Sequence, residues 1–356
     1  MIEFGNPAPF FAGRSNVNPK FHFGTVAGRY MVLSFIDSSS DETGQRFLDA
    51  IGRHTQRFDV DNFFFFGVTT DKFENASPRL KEQRPGVVYF FDEDRSISQL
   101  YGLAEGNAAS QRVTLLLDQG IRVLSVIPWT GSPEEHVAAI IKAMDQCPSL
   151  NPQMSSAPVL CIDNIFERDF CRLLINLYLQ TGGTDSGFMR DVQGKTTSIM
   201  DYGHKRRMDY EITDQKVIEA AHIKMRQRLL PELKKAFQYT PTRIERNIVA
   251  CYDSSVGGHF RAHRDNTTKG TAHRQFAVSI NLNTEEFEGG QLWFPEFGRR
   301  TYRPSTGGAV VFSCSLLHEA RPVTKGLRYA YLPFLYNEEG ARIRQANLQF
   351  LAKKEG

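Results

Sequence analysis

The chain has 356 residues, of which 41% are hydrophobic and 23% charged, and its formal net charge is +3. That is ordinary for globular protein, leaves apolar material for two cores, and at about 150 residues per domain points to two domains. The near-neutral balance argues against a nucleic-acid partner, and no stretch approaches the ~18 consecutive apolar residues of a membrane helix.

From the N-terminus, "MIEFGNPAPF" lacks the basic-then-apolar pattern of a secretory leader, so a cytoplasmic location is expected. "RYMVLSFID", "NFFFFGVTT", "GVVYFFDED" and "RVTLLLDQGIRVLSVI" read as buried strands. Between them, "DETGQRFLDAIGRHTQRF" carries Phe47, Leu48, Ile51 and Phe58 at helical spacing. "SPEEHVAAIIKAMDQC" opens with a Ser-Pro-Glu-Glu helix start. Strands alternating with helices predict an α/β sandwich over residues 1–147.

The order "VLSFID", "FGVTTD", "YFFDEDRSISQLYGL", "VTLLLDQGIRVL" resembles the thioredoxin-fold peroxiredoxins along nearly this whole half. The resemblance implies a peroxidatic cysteine just after the first core strand, near a helix N-terminus that lowers its pKa. Here that stretch is "FIDSSSDETGQRF", with serines at 38–40, and the only cysteine of the half is Cys147 at its far end. A hydroxyl cannot pass through sulfenic acid as a thiolate does. The expectation is therefore a non-catalytic redoxin-like domain that packs on the other half or mediates self-association.

Residues 148–159, within "DQCPSLNPQMSSAPV", read as a linker. "CIDNIFERDFCRLLINLYLQTGG" is a helix ended by Gly182-Gly183, and "DQKVIEAAHIKMRQRLLPELKKAF" is a second. The basic run "GHKRRMDYEI", followed at once by acids, reads as a solvated loop or strand edge. From Arg246 the period drops to two, through "RNIVACYDS", "QFAVSINLN", "QLWFPEF", "GAVVFS" and "LRYAYLPFLYN", punctuated by glycine pairs. Many short strands with Gly-rich turns predict an antiparallel sandwich or jelly roll with supporting helices. The fold class expected for the whole is two-domain α+β. Cys147, Cys161, Cys171, Cys251 and Cys314 follow no zinc-like spacing and read as reduced core thiols.

The last third holds an ordered set. His263 and Asp265 are two apart, so on an extended segment they point to one side. His318 follows the aspartate by 53 residues and Arg328 follows His318 by ten. Two imidazoles and one carboxylate with open coordination positions suit the facial triad of a non-haem Fe(II) oxygenase. An arginine fork suits a carboxylate co-substrate. Gly257 and Gly258 allow a tight turn before the first pair. His22, His54, His136, His204 and His222 read as surface or core residues. His259 reads as a neighbour of the site or a surface residue, and His273, in a polar loop, as a possible substrate contact.

With these residues "CYDSSVGGHFRAHRD", "SINLNTEEFEGGQLWFPE", "YRPSTGGAVVFS" and "LLHEARPVTKGLRYAYLPF" resemble the prolyl-4-hydroxylase-type Fe(II)/2-oxoglutarate oxygenases over roughly residues 160–337. The resemblance implies a double-stranded β-helix in a domain spanning 160–356. It implies Fe(II), 2-oxoglutarate and O2 as cofactor and co-substrates, ascorbate as support, and decarboxylation to succinate and CO2. On that analogy His263, Asp265 and His318 bind iron and Arg328 pairs with the distal carboxylate of 2-oxoglutarate. Tyr252 reaches the same carboxylate, and Asn281, where relatives often carry a tyrosine, is a further cofactor candidate.

The expected reaction is hydroxylation of an unactivated C–H bond in a cyclic imino acid, proline or pipecolate, free or in a peptide. Arg206, Arg207, Asp209, Arg261 and Arg274 are the candidate substrate contacts. The expected partners are a small molecule or peptide and another copy of the chain, with neither nucleic acid nor membrane. Two alternatives stand beside this reading: a thiol peroxidase or reductase with an accessory oxygenase-like half, and a non-enzymatic module that binds metal or 2-oxoglutarate.

Overall fold

A computed structural model describes residues 2–105, 111–150 and 156–352. Residues 151–155 of the expected linker lie outside the described residues. The chain divides into two compact units, Met1–Ser155 with Pro295–Arg299, and Ser156–Phe294 with Arg300–Gly356.

The first unit is built on five strands: β1 (Tyr30–Asp37), β2 (Phe63–Thr69), β3 (Val87–Phe91), β4 (Val113–Leu117) and β5 (Val123–Pro128). Their order is β3-β2-β1-β4-β5, with β1, β2 and β3 parallel and β4 and β5 antiparallel at one side. Parallel strands covered on both faces read as continuous apolar runs, and Tyr30 through Ile36 are buried without a break. Helix α1 (Glu42–Gly52) starts where the Asp41 side chain accepts from Gly44 N at 2.7 Å. Helix α2 (Pro133–Asp145) starts on a capping box between Ser132 and Glu135, with Pro133 in the first turn. Phe47 and Ile51 of α1 join Val137, Ile140 and Met144 of α2 in one core with Val32, Phe65, Tyr89 and Leu116. Phe11, Phe23 and Tyr101 cover the opposite face, against Phe66 and Phe35. This is the thioredoxin-like arrangement expected.

Just after β1, Ser38–Ser40 close on the Asp71 carboxylate. Ser38 Oγ donates to Oδ1 at 3.0 Å and the Ser39 amide to Oδ2 at 2.8 Å. Burial pushes the Asp71 carboxyl up, but these bonds outweigh it and hold it below the usual range. The place at which a peroxidase carries its thiolate is a serine–carboxylate cluster.

In the second unit the chain runs through β6 (Leu160–Ile162), α3 (Arg168–Thr181), β7 (Lys205–Arg206) and β8 (Met208–Glu211). Two helices follow, α4 (Gln215–Arg228) and α5 (Leu230–Phe237). Sequence periodicity suggested one helix here; Pro231 in the first turn of α5 divides it, since proline lacks an amide donor. The strands that build the sheets after them include β9 (Arg243–Glu245), β10 (Ile248–Asp253), β11 (His259–His263), β12 (Phe276–Asn281), β13 (Leu292–Trp293), β14 (Ala309–Ser313), β15 (His318–Ala320), β16 (Val323–Tyr331) and β17 (Phe334–Tyr336), before α6 (Glu338–Asn347).

These strands form two antiparallel sheets. The larger runs β9-β17-β12-β16-β10-β8, with β14 also on β12 and β6 on β14; the smaller runs β7-β11-β15-β13. Alternate residues of the larger sheet, among them Val249, Cys251, Val278, Ile280, Tyr329 and Tyr331, are buried under Leu174, Ile175, Ala221, Met225, Leu229 and Leu233 of the helices. The intervening positions turn to the other face. Period two thus delivers a helix-covered side and a functional side from each strand. The result is the jelly roll with supporting helices.

Three expectations need correction. The run around Lys205 and Arg207 is not solvated: the two side chains lie in residues only 5% and 6% exposed, because each finds polar partners inside the unit. His273 is not in a polar loop open to substrate; it is buried and hydrogen-bonded through Nε2 to Glu245 at 2.5 Å. Cys161 is exposed and Cys147 half-buried, so only Cys171, Cys251 and Cys314 are core thiols; all five are free.

Candidate metal and co-substrate site

The smaller sheet brings His263 and His318 directly opposite one another, as register partners on β11 and β15. Asp265 follows β11 by two residues. His263 Nε2 lies 3.5 Å from Asp265 Oδ1 and His318 Nε2 lies 3.4 Å from Oδ2. One ligand atom from each residue falls within 4.8 Å of the others.

The second ring nitrogen of each histidine fixes the tautomer. His263 Nδ1 is 2.7 Å from Arg261 O and His318 Nδ1 is 3.0 Å from Leu316 O. A carbonyl only accepts, so Nδ1 carries the proton and the Nε2 lone pair faces the centre. Burial drives the His263 imidazolium down to about 4, helped by the neighbouring His318, so the ring is neutral at pH 7. Burial pushes the Asp265 carboxyl up, but His318 and His263 outweigh it and hold it well below the usual range. Two imidazoles that turn Nε2 to the centre and one carboxylate form a donor set that fits a divalent cation, and three protein ligands leave positions for co-substrates.

Turn geometry supports the cluster. Gly257 takes φ +67° after Asp253, and a Cβ on Gly258 would stand 2.5 Å from Asp253 N. Phe260 stacks on the His263 ring at 3.5 Å between centroids, and Phe312 lies 4.6 Å from His318. The triad therefore sits in an apolar wall.

The larger sheet supplies the cationic end. Tyr252 on β10 and Arg328 on β16 are register partners. The Arg328 Nε and Nη2 donate to Asn281 Oδ1 at 3.2 and 3.1 Å, and Nη2 donates to Ser279 Oγ at 3.1 Å. Its guanidinium carbon lies 5.0 Å from the Tyr252 ring centroid. Arg328 is 2% exposed, its partners are all neutral, and it forms no ion pair with a carboxylate among the described residues. A buried, unneutralised fork of this kind is built to receive an anion. Gly290, at φ +66°, makes room: a Cβ there would meet Arg328 Cδ at 2.9 Å.

One cavity joins the two ends; Arg207, Tyr252, His263, Asp265, His318 and Arg328 line it. Of the expected substrate contacts, Arg207 lines it, with Nη2 donating to Asp209 Oδ2 at 2.6 Å and Nη1 to the Tyr252 hydroxyl at 3.4 Å. Asp209 thus orients Arg207, and its own carboxyl is held at about 2 because Arg207 outweighs burial. Arg274 stacks on Phe334 at 4.1 Å and pairs with Glu245 at 2.9 Å, beside the cavity. Arg206 stacks on Tyr202 and Arg261 donates to Gly203 O at 2.8 Å; neither lines it.

Ser279, Phe260, Lys205 and Arg246 were not singled out from sequence. Ser279 was legible, since it shares strand parity with Asn281. Lys205, placed 4.9 Å over Phe260 and donating to Ser186 Oγ and Gly187 O, carries no sequence signal beyond its basic neighbours.

Residues 248–336 match the family model of the 2OG-Fe(II) oxygenase superfamily. A PKHD-type hydroxylase of Synechococcus sp. is 27% identical over 96 residues, which are 25% of this chain and 42% of that protein. The chain thus spans less than half the length of that relative. Among solved structures, a viral collagen prolyl hydroxylase from Paramecium Bursaria Chlorella virus-1 covers 51% of this chain and 97% of its own, at TM-score 0.38 and 18% identity. The peroxidoxin BcpB of Mycobacterium tuberculosis covers 42% of this chain and 100% of its own, at TM-score 0.37 and 15% identity. The segment that carries the His-Asp-His cluster and Arg328 is thus the segment that matches the 2OG-Fe(II) oxygenase superfamily.

Proposed function

We propose that this chain is an Fe(II)- and 2-oxoglutarate-dependent hydroxylase, with His263, Asp265 and His318 holding the metal and Arg328 the distal carboxylate of 2-oxoglutarate. The observation that carries the reading is the pairing of the triad with an arginine that is buried beside neutral partners only, in one cavity. Iron supplies dioxygen activation, coupled to oxidative decarboxylation of 2-oxoglutarate to succinate and CO2.

The chain's own groups do the rest. The Nδ1–H bonds to Arg261 O and Leu316 O hold both imidazoles with Nε2 inward. Asn281 and Ser279 fix the plane of the Arg328 fork, and Tyr252 limits where a carboxylate can lie. Phe260, Phe312 and Leu292 exclude water from the wall around the triad, which strengthens each electrostatic contact inside. Arg207, locked by Asp209, presents a fixed positive charge beside Tyr252.

The prolyl-hydroxylase resemblance makes a cyclic imino acid, proline or pipecolate, the favoured substrate. The first unit is a redoxin-like scaffold without peroxidase chemistry that serves packing or self-association. The test is mass spectrometry of candidate amino acids and peptides after incubation with the protein, Fe(II), ascorbate, 2-oxoglutarate and air. A +16 product that requires both Fe(II) and 2-oxoglutarate supports the reading. Peroxide consumption that survives chelation of the metal would favour a thiol peroxidase.

A further inference from the structure

Arg246 sits between β9 and β10 in left-handed backbone, φ +69°, a conformation that side chains other than glycine's rarely adopt. Its guanidinium lines the same cavity as the triad. Nε donates to Leu332 O at 3.2 Å and the group lies 4.6 Å over the Phe334 ring, which sets the plane of the fork. Its two terminal nitrogens have no hydrogen-bond partner, and no carboxylate pairs with it, among the described residues.

The nearby acids are already engaged. Asp209 binds Arg207, Glu245 binds Arg274 and His273, and Asp265 stands in the triad. Two guanidiniums without a carboxylate, Arg328 and Arg246, therefore face one cavity. Arg328 is buried and Arg246 half-buried, and an enclosed cation without a counter-ion carries a desolvation cost that an anionic ligand would relieve. The cost is visible: burial, with Arg207 nearby, lowers the Arg246 guanidinium to about 10.

On the proposed function, 2-oxoglutarate brings two carboxylates, one for the metal and one for Arg328. Neither remains for Arg246. We infer that Arg246 recognises a carboxylate of the primary substrate, so that the molecule oxidised is a small acid, such as a free amino or imino acid, rather than an internal residue of a peptide. This rests on the oxygenase reading and narrows its substrate class.

The experiment compares acids with their own primary amides. The full-length protein, loaded with redox-silent Mn(II), is titrated with L-proline, L-pipecolate, benzoate and glutarate, and with the matching amides, each with and without 2-oxoglutarate. At least one acid should bind wild type well over its amide. Arg246→Gln should weaken that acid roughly tenfold to a hundredfold, and Arg246→Lys less, since a charge remains but the fork is lost. Affinity for 2-oxoglutarate should stay unchanged in both variants.

No acid-over-amide preference in wild type, or one that Arg246→Gln leaves intact, overturns the inference. So does a loss of 2-oxoglutarate affinity in Arg246→Gln, which would place Arg246 on the co-substrate. Failure of wild type to bind 2-oxoglutarate at all sinks the oxygenase reading instead, and the arms without 2-oxoglutarate still score Arg246. Circular dichroism of each variant excludes misfolding as the cause.

Discussion

Replacing Arg328 by alanine separates binding from folding, because it should weaken the first and leave the second nearly unchanged. With 2-oxoglutarate present, the variant loses a charge-assisted bidentate contact worth about 1.5–3 kcal/mol, or roughly ten- to a hundredfold in affinity. Without it, the variant loses a guanidinium that is 2% exposed and paired with no carboxylate, whose burial costs the folded state several kcal/mol. Against that relief stand Asn281 Oδ1 and Ser279 Oγ, left without their donor at about 1–3 kcal/mol each, or less where cavity water replaces it. The two effects nearly cancel, so the stability of the free protein should change little while 2-oxoglutarate binding collapses. Arg328→Lys should fall between, keeping the charge and losing the fork. Calorimetric titration of 2-oxoglutarate into the Mn(II)-loaded protein, with urea unfolding of the ligand-free form, reads both quantities. Unchanged 2-oxoglutarate affinity in Arg328→Ala would refute the assignment and pass the role to Arg207 or Arg246, the other arginines of the cavity.

Three further outcomes are expected. Alanine at His263, Asp265 or His318 should abolish stoichiometric Mn(II) binding, measured by electron paramagnetic resonance, with near-wild-type circular dichroism, since these side chains line a cavity rather than fill the helix-covered core; retained binding in Asp265→Ala would contradict the cluster's role. Glu245 is held at about 2 because His273 and Arg274 outweigh burial, so it contributes up to about 3 kcal/mol that is present above pH 4.5 and lost as pH falls toward 2. Glu245→Gln should therefore be less stable at pH 7 and flatter in its acid limb, and an unaltered pH profile of urea midpoints would count against the pair. The protein, stripped of metal, should show no peroxide turnover with dithiothreitol, because Ser38–Ser40, bonded to Asp71 from the end of β2, stand after β1 in place of a thiolate; turnover abolished by Cys147→Ser would reverse that statement.

Much of this was legible from spacing. An apolar run such as "YMVLSFID" has few alternatives to a strand covered on both faces, and β1 is that strand. His263, Asp265 and His318 were visible because the ligand set of a metal is a short list of residue types, and strand parity puts the first two on one side. Tyr252 and Arg328 could be named, but not that they are cross-strand partners, because register depends on turns far from both. The errors share one cause. "HKRRMDYE" is hydrophilic by composition and reads as surface, yet Lys205 and Arg207 are buried because Ser186 and Gly187 come to them from elsewhere in the fold, while Asp209 of the run itself pairs with Arg207. His273 was misplaced likewise: its partner Glu245 is 28 residues away. Arg246 escaped notice because nothing local marks it. Its meaning lies in a positive φ and in the absence of a counter-ion, and both are properties of the folded chain.

The central claim is that the triad and Arg328 form one site for a metal and 2-oxoglutarate together. Anaerobic titration of 2-oxoglutarate into the full-length protein, with and without one equivalent of Fe(II), tests it without knowledge of the substrate. Tight binding that requires Fe(II), disappears in Asp265→Ala and weakens at least tenfold in Arg328→Ala is the predicted result. Binding indifferent to Fe(II), or none in its presence, would contradict the account.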